Sequence, residues 1–152
     1  HLIKNVFTNK QRRKLIKDCQ PLLLERGPEF PGRQTHSTLY LHPDFISPIN
    51  DILRIANKET GLNLEIKAAW ANWTNGKKKD IAWHRHHCDY ALVYYIRTPL
   101  PFFSNGTLFR NGLFKAPQNS MLIFPSHMEH TAPSSPFRFD RYTIAMDLNI
   151  RT

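Results

Sequence analysis

The stretch Trp83-His84-Arg85-His86-His87-Cys88-Asp89-Tyr90-Ala91-Leu92-Val93-Tyr94-Tyr95-Ile96 decides how this chain is read. Its composition predicts one strand over 81–86 and another over 90–97. In a strand, residues i and i+2 share a face, so His84 and His86 project together while Arg85 points away. Two imidazoles on one face can bind one metal ion, although His-x-His alone is a weak signal. His130 strengthens it, because it follows Met121-Leu122-Ile123-Phe124-Pro125-Ser126, a buried strand running into a turn. Beyond it Arg141-Tyr142-Thr143-Ile144-Ala145 alternates, placing Arg141 and Thr143 on one face. A buried guanidinium beside a hydroxyl needs an anion, and a planar carboxylate is its best geometric match. The plainer alternative is a rim arginine paired to Asp140 or Asp147. His-x-His, a distant His and then Arg is the order that a metal centre with an anion clamp requires.

Outward from this core, the remaining strands are expected at 64–73, 106–110, 121–124, 129–132 and 141–149. Turns at Asn75-Gly76, Asn105-Gly106 and Asn111-Gly112 suit positive φ. Ahead of them, residues 9–19 read as a helix capped by Thr8 and ended or bent at Pro21. Residues 27–35 read as loop. A second helix is expected over 47–59, with Ser47-Pro48 as cap and first turn and Gly61 as its stop. Helices followed by consecutive strands predict a mainly β barrel or sandwich, braced on one side by helices.

At 152 residues the chain is expected to be a single domain, with helical support over about 1–61 and a β core over about 62–150. It begins at His1 rather than Met, so a tag remnant or a missing native N-terminus is expected. No apolar run approaches the ~20 residues of a membrane span. Cys19 and Cys88 are too few for a disulfide framework and read as reduced thiols, implying a cytoplasmic protein. The net charge of +9 raises a nucleic-acid partner, but the basic residues form no single stripe. Lys10, Arg12, Arg13, Lys14 and Lys17 spread around a solvated helix, and Lys77-Lys78-Lys79 reads as an exposed turn. Nothing suggests an RNA-binding sheet with stacking aromatics, which disfavours nucleic acid. The lysine turn precedes the metal strand and could instead rim a mouth that takes an anionic substrate.

The run from Trp70 to Leu148 resembles the double-stranded β-helix (jelly-roll, cupin-like) core of the Fe(II)- and 2-oxoglutarate-dependent oxygenases. It is most similar to their small, poorly characterised members and to the prolyl-hydroxylase-like branch. The resemblance is carried by Ala69-Trp70-Ala71-Asn72, His84-Arg85-His86, Val93-Tyr94-Tyr95-Ile96, Phe124-Pro125-Ser126 through His130, and Arg141-Tyr142-Thr143. It implies Fe(II) as the metal and 2-oxoglutarate as co-substrate. His84 and His130 match the two histidine ligands. Arg141 matches the residue that binds the far carboxylate of 2-oxoglutarate, with Thr143 as its hydroxyl partner, and Tyr95 and Asn72 as further contacts. His127 is assigned a loop or outer role around the ligands.

The usual motif carries Asp or Glu where this chain has His86. Three readings stay open: three histidines hold the iron, Asp89 or His87 swings in instead, or the protein binds without turning over; the first is favoured. The activity implied is a dioxygenase that hydroxylates a small molecule or peptidyl side chain and releases succinate and CO2. The alternative is a cupin-like three-histidine metalloprotein that does not use 2-oxoglutarate. Val93, Ile123 and Ile144 are expected on the dry inner wall. The loop between Arg97 and Gly106 should frame the entrance, with Leu100-Pro101-Phe102-Phe103 as a lid or as a turn packed on the barrel edge.

Overall fold

Two α-helices and ten strands form among the described residues of this computed structural model, which are 1–27, 32–75, 82–98, 106–133 and 138–152. In chain order they are β1 (Leu2–Ile3), α1 (Asn9–Cys19), β2 (Leu24–Glu25), β3 (Gly32–Gln34), α2 (Ile46–Thr60), β4 (Leu64–Thr74), β5 (Tyr90–Arg97), β6 (Gly106–Phe109), β7 (Gly112–Lys115), β8 (Ser120–Pro125), β9 (His130–Thr131) and β10 (Arg141–Ile150).

Local chemistry sets the helix ends. The Thr8 hydroxyl accepts from the Gln11 amide, and the Gln11 side chain accepts from the Thr8 amide, so α1 opens on a reciprocal capping box. Its buried face, Leu15 and Cys19, lies on the sheet, and Pro21 sits in the short 3-10 turn that follows. The expected cap of α2 needs correcting. The helix begins at Ile46 after Phe45, which makes no side-chain cap, and Ser47-Pro48 lie inside the first turn. Proline is tolerated there because the amide it lacks would have no helical partner. Gly61, at φ 72°, ends α2 in the left-handed conformation expected of a stop glycine.

The strands make two antiparallel sheets, β1-β8-β5-β10-β4-β3-β2 and β7-β6-β9. Helices cover one face of the large sheet and the small sheet faces the other, giving a mainly β jelly roll with helical support. Side-chain parity divides the core accordingly. Tyr94, Ile96, Ile123, Ile144, Met146 and Leu148 pack with Leu15, Ile49 and Ile52 on the helix side. Ala91, Tyr95, Leu122 and Phe124 pack with Phe109 between the sheets. Ile123 and Ile144 are therefore on the helix side, not the inner wall where they were expected; only Val93 of that trio packs between the sheets. They sit one residue out of step with the inward set, and one residue reverses the face.

Two further expectations change. Residues 27–35 are not all loop, since β3 pairs with β4 through Gly32↔Thr74 and Gln34↔Asn72. Among described residues, 82–86 form no strand; His84 makes only an isolated bridge to His130. The lysine turn 77–79 and the segment 100–103 lie outside the described residues, as do Gly76, Ile81 and Asn105 of the turns and strand expected there.

Candidate metal centre

His84 and His130 form a backbone pair: each amide donates to the other's carbonyl at 3.1 Å. The His86 amide donates to Ser126 O at 3.3 Å, tying the same segment to the turn after β8. Outside the cleft, Arg110 stacks 4.0 Å from the Trp83 ring centroid and binds Glu129, which Arg85 also approaches. The segment is thus pinned on both sides of His84 without being a strand. Arg85 faces outward as the sequence predicts, although tertiary hydrogen bonds rather than pleat alternation bring His84 and His86 together.

One ligand atom from each of His84, His86 and His130 lies within 4.8 Å of the others. The outer nitrogens are all engaged. His84 Nδ1 lies 2.9 Å from Ala82 O, His130 Nδ1 2.9 Å from Met128 O, and His86 Nδ1 2.7 Å from Asp147 Oδ1. His84 and His130 direct Nδ1–H to carbonyl oxygens and His86 Nδ1 faces a carboxylate, an arrangement that leaves a lone pair on each Nε2. His86 Nε2 and His130 Nε2 face each other at 3.1 Å. Two lone pairs at that separation repel unless a cation or proton lies between them. Two nitrogens at right angles on a metal with bonds of ~2.1 Å would stand about 3 Å apart, which is the spacing found. Phe124 and Phe109 pack on the His130 ring, and burial pushes its pKa down to about 4 and lowers that of His84. Both rings are therefore neutral at pH 7, the form that binds metal.

The other end of the cleft is set by register. Asn72, Thr143 and Tyr95 stand opposite one another across β4, β10 and β5; Trp70, Ala145 and Val93 form the next row, then Ala68, Asp147 and Ala91. Rows two residues apart are separated by about 7 Å. Asn72 Nδ2 donates to Thr143 Oγ1 at 3.3 Å and its Oδ1 accepts from Gln34 Nε2 at 2.6 Å. Arg141, 7% exposed, donates from one terminal nitrogen to Gly106 O at 3.1 Å, while its Nε finds no partner among the described residues. Burial lowers its pKa. Neither Asp140 nor Asp147 pairs with it: Asp140 accepts from Trp73 Nε1 and Asp147 meets His86. Tyr95 lies beneath the guanidinium, which stands 5.7 Å from its ring centroid, and its hydroxyl is 2.5 Å from Thr107 Oγ1. Desolvation pushes the Tyr95 phenol up to about 12.

A cleft of about 680 Å³ joins the two ends and is lined by the three histidines, Asn72, Arg141 and Thr143 among others. Tyr95 is not among its lining residues; its contacts are with Arg141 and Thr107. His127 and Asp89 are exposed and stand outside the histidine group; the Asp89 carboxylate instead accepts from the Ile150 amide at 2.8 Å. His87 is exposed as well. Cys88 is free, and its thiol is held un-ionised by desolvation and by the nearby Asp147 charge. Sequence reasoning missed Asp147, Gln34 and Thr107. The alternation that paired Arg141 with Thr143 also places Asp147 on that face. Gln34 and Thr107 come from a segment read as loop and from the facing sheet, and carried no local signal.

No protein-family model matches the chain, and no curated protein matches it. Its fold is nevertheless shared with solved structures. The carbocyclase SnoK of nogalamycin biosynthesis, described as non-heme and alpha-ketoglutarate-dependent, superposes with a TM-score of 0.77 at 10% identity, covering 97% of this chain and 78% of that one. The viral collagen prolyl hydroxylase of Paramecium Bursaria Chlorella virus-1 gives 0.73 at 11% identity, over 100% and 90%. HygX of Streptomyces hygroscopicus, solved with nickel, 2-oxoglutarate and hygromycin B, gives 0.72 at 11%, over 98% and 82%. The chain has the double-stranded β-helix fold of the 2-oxoglutarate- and Fe(II)-dependent oxygenases.

Proposed function

We propose that this protein is an Fe(II)- and 2-oxoglutarate-dependent oxygenase whose metal is held by His84, His86 and His130. The observation that carries this is the pairing of ends within one cleft. Three inward-facing Nε2 atoms stand at one end, and a buried arginine with an unpartnered nitrogen at the other. Arg141 would receive the far carboxylate of 2-oxoglutarate, with Thr143 supplying a hydroxyl oriented by Asn72 and Gln34. When bound, iron and 2-oxoglutarate supply the oxidising chemistry, in which substrate C–H, O2 and 2-oxoglutarate become C–OH, succinate and CO2.

The chain's own residues orient and exclude. Ala91 and Ala145 leave room along the floor, and Val93 and Trp70 wall it. Asn72 and Gln34 fix the Thr143 hydroxyl through a hydrogen-bond chain, and Tyr95 supports the guanidinium from below. The prime substrate is a small molecule or a peptidyl side chain. An anionic one suits the described lining, which includes Arg26 and Arg141 and no Asp or Glu.

Iron-loaded protein incubated with 2-oxoglutarate in air should release succinate, and Arg141→Ala should abolish this while retaining metal. Truncating one partner of a buried charge pair costs about 2–5 kcal/mol, so co-substrate affinity should fall by at least about 30-fold. The absence of a carboxylate from the ligand cluster among the described residues favours a second reading, a cupin-like three-histidine metalloprotein. It predicts that Arg141→Ala changes no metal-dependent activity.

A further inference from the structure

We infer that Asp147 is a positioning residue of the metal centre, returning through His86 the negative charge that a set of three histidine ligands lacks. The inference rests on the metal-site reading above. It starts from an asymmetry among the histidines: His84 and His130 direct Nδ1 to the neutral carbonyls of Ala82 and Met128, whereas His86 directs Nδ1 to a carboxylate oxygen at 2.7 Å. That oxygen is closed off from solvent, and its contact with Nδ1 is close without being aligned as a hydrogen bond. His86 is also clamped by ring contacts, His130 at 4.9 Å and 12° and Trp70 at 5.8 Å and 23°. The imidazole therefore has little freedom except along the line joining Asp147 to the other two histidines.

Charge bookkeeping gives the arrangement a purpose. A divalent ion on three neutral imidazoles is one unit more positive than on two imidazoles and a carboxylate. No Asp or Glu is among the described residues lining the cleft, and Asp89 is occupied at the Ile150 amide. Asp147 stands behind His86 rather than in the cleft. A carboxylate bonded to the outer nitrogen of a metal-bound imidazole fixes its tautomer and raises its donor strength. On β10 the facing residues of the neighbouring strands are Ala68 and Ala91, whose small side chains leave this place to Asp147 and His86.

The test is nickel(II) affinity by calorimetry, together with the anaerobic Fe(II)–2-oxoglutarate absorption band, in wild type, Asp147→Asn, His86→Ala and the double variant. Asp147→Asn should keep the wild-type melting temperature to within a few degrees yet lose about 10- to 100-fold in nickel affinity. Its band should move to shorter wavelength, because the metal is poorer in electrons. In the His86→Ala background, Asp147→Asn should cost nothing further. Wild-type affinity and band position in Asp147→Asn, or an equal loss with and without His86, would overturn the inference and leave the metal site standing. A wild-type protein that binds neither nickel nor iron would overturn both.

Discussion

Arg141 carries its charge where water scarcely reaches and where its Nε has no partner among the described residues, an arrangement that costs folding energy unless an anion completes it. Stability and function should therefore separate at this position. Arg141→Met should leave the melting temperature of the metal-free protein unchanged or higher. It should also abolish the thermal shift expected from 2-oxoglutarate in the nickel-loaded wild type, a shift worth about 2.7 kcal/mol at a hundredfold excess over Kd. Differential scanning fluorimetry reads both. His130 makes a second prediction. Its folded pKa of about 4 lies below the ordinary 6.5, so the unfolded chain takes up a proton that the folded chain refuses. Stability of the metal-free protein should be full above pH 6.5 and fall as pH drops towards about 4; His130→Gln should flatten that slope. At this scale the sequence was informative where one strand carries several roles, as with Arg141 and Thr143. Asp147 was equally legible by parity, but its charge suggested an ion pair with arginine rather than support for a histidine.

At the level of elements, the anion end depends on β6 as much as on β10. Gly106, at φ 116°, lends its carbonyl to Arg141, and a Cβ built there would stand 1.9 Å from Phe114 O. Gly106→Ala should cost about 1–3 kcal/mol from the backbone angle alone. The clash with β7 adds to that, and 2-oxoglutarate binding should weaken alongside stability. Denaturant unfolding and the absorption titration check the two effects separately. The capping box of α1 makes a milder prediction: Thr8→Ala should destabilise by about 1 kcal/mol without changing metal affinity. Strands with strong alternation or long apolar runs, β4, β5, β8 and β10, were foreseeable because burial of a whole face fixes them. β2 and β3 were not, since they are edge additions held by backbone pairing, β3 to β4 and β2 to β3. Residues 82–86 misled for the opposite reason. Their composition suits a strand, but their amides and carbonyls pair with the turn after β8 and with β9, so only His84 bridges.

For the whole molecule, helices behind one sheet and a second sheet in front leave a single inward face on which the large sheet displays functional groups. The helix-side face is filled by Tyr94, Ile96, Ile144 and Met146, packed with the helices. No described helix is long and apolar enough to cross a membrane. This division of labour was legible from order alone, helices first and strands after. The docking of the His84 segment on β9 was not, because the contact of His130 with His84 joins residues 46 positions apart through backbone bonds that no local pattern announces. If the folded cleft takes both ligands as proposed, nickel and 2-oxoglutarate together should raise the melting temperature more than nickel alone.

The central claim is that one cleft holds a metal on His84, His86 and His130 and a dicarboxylate on Arg141. Its most direct test is an anaerobic titration of metal-free protein with Fe(II) and then 2-oxoglutarate, following the visible metal-to-ligand charge-transfer band. The band should appear only after both additions, weaken in Arg141→Ala and vanish in His130→Ala. Iron binding with no band at saturating 2-oxoglutarate, or a band of full strength in Arg141→Ala, would contradict the account.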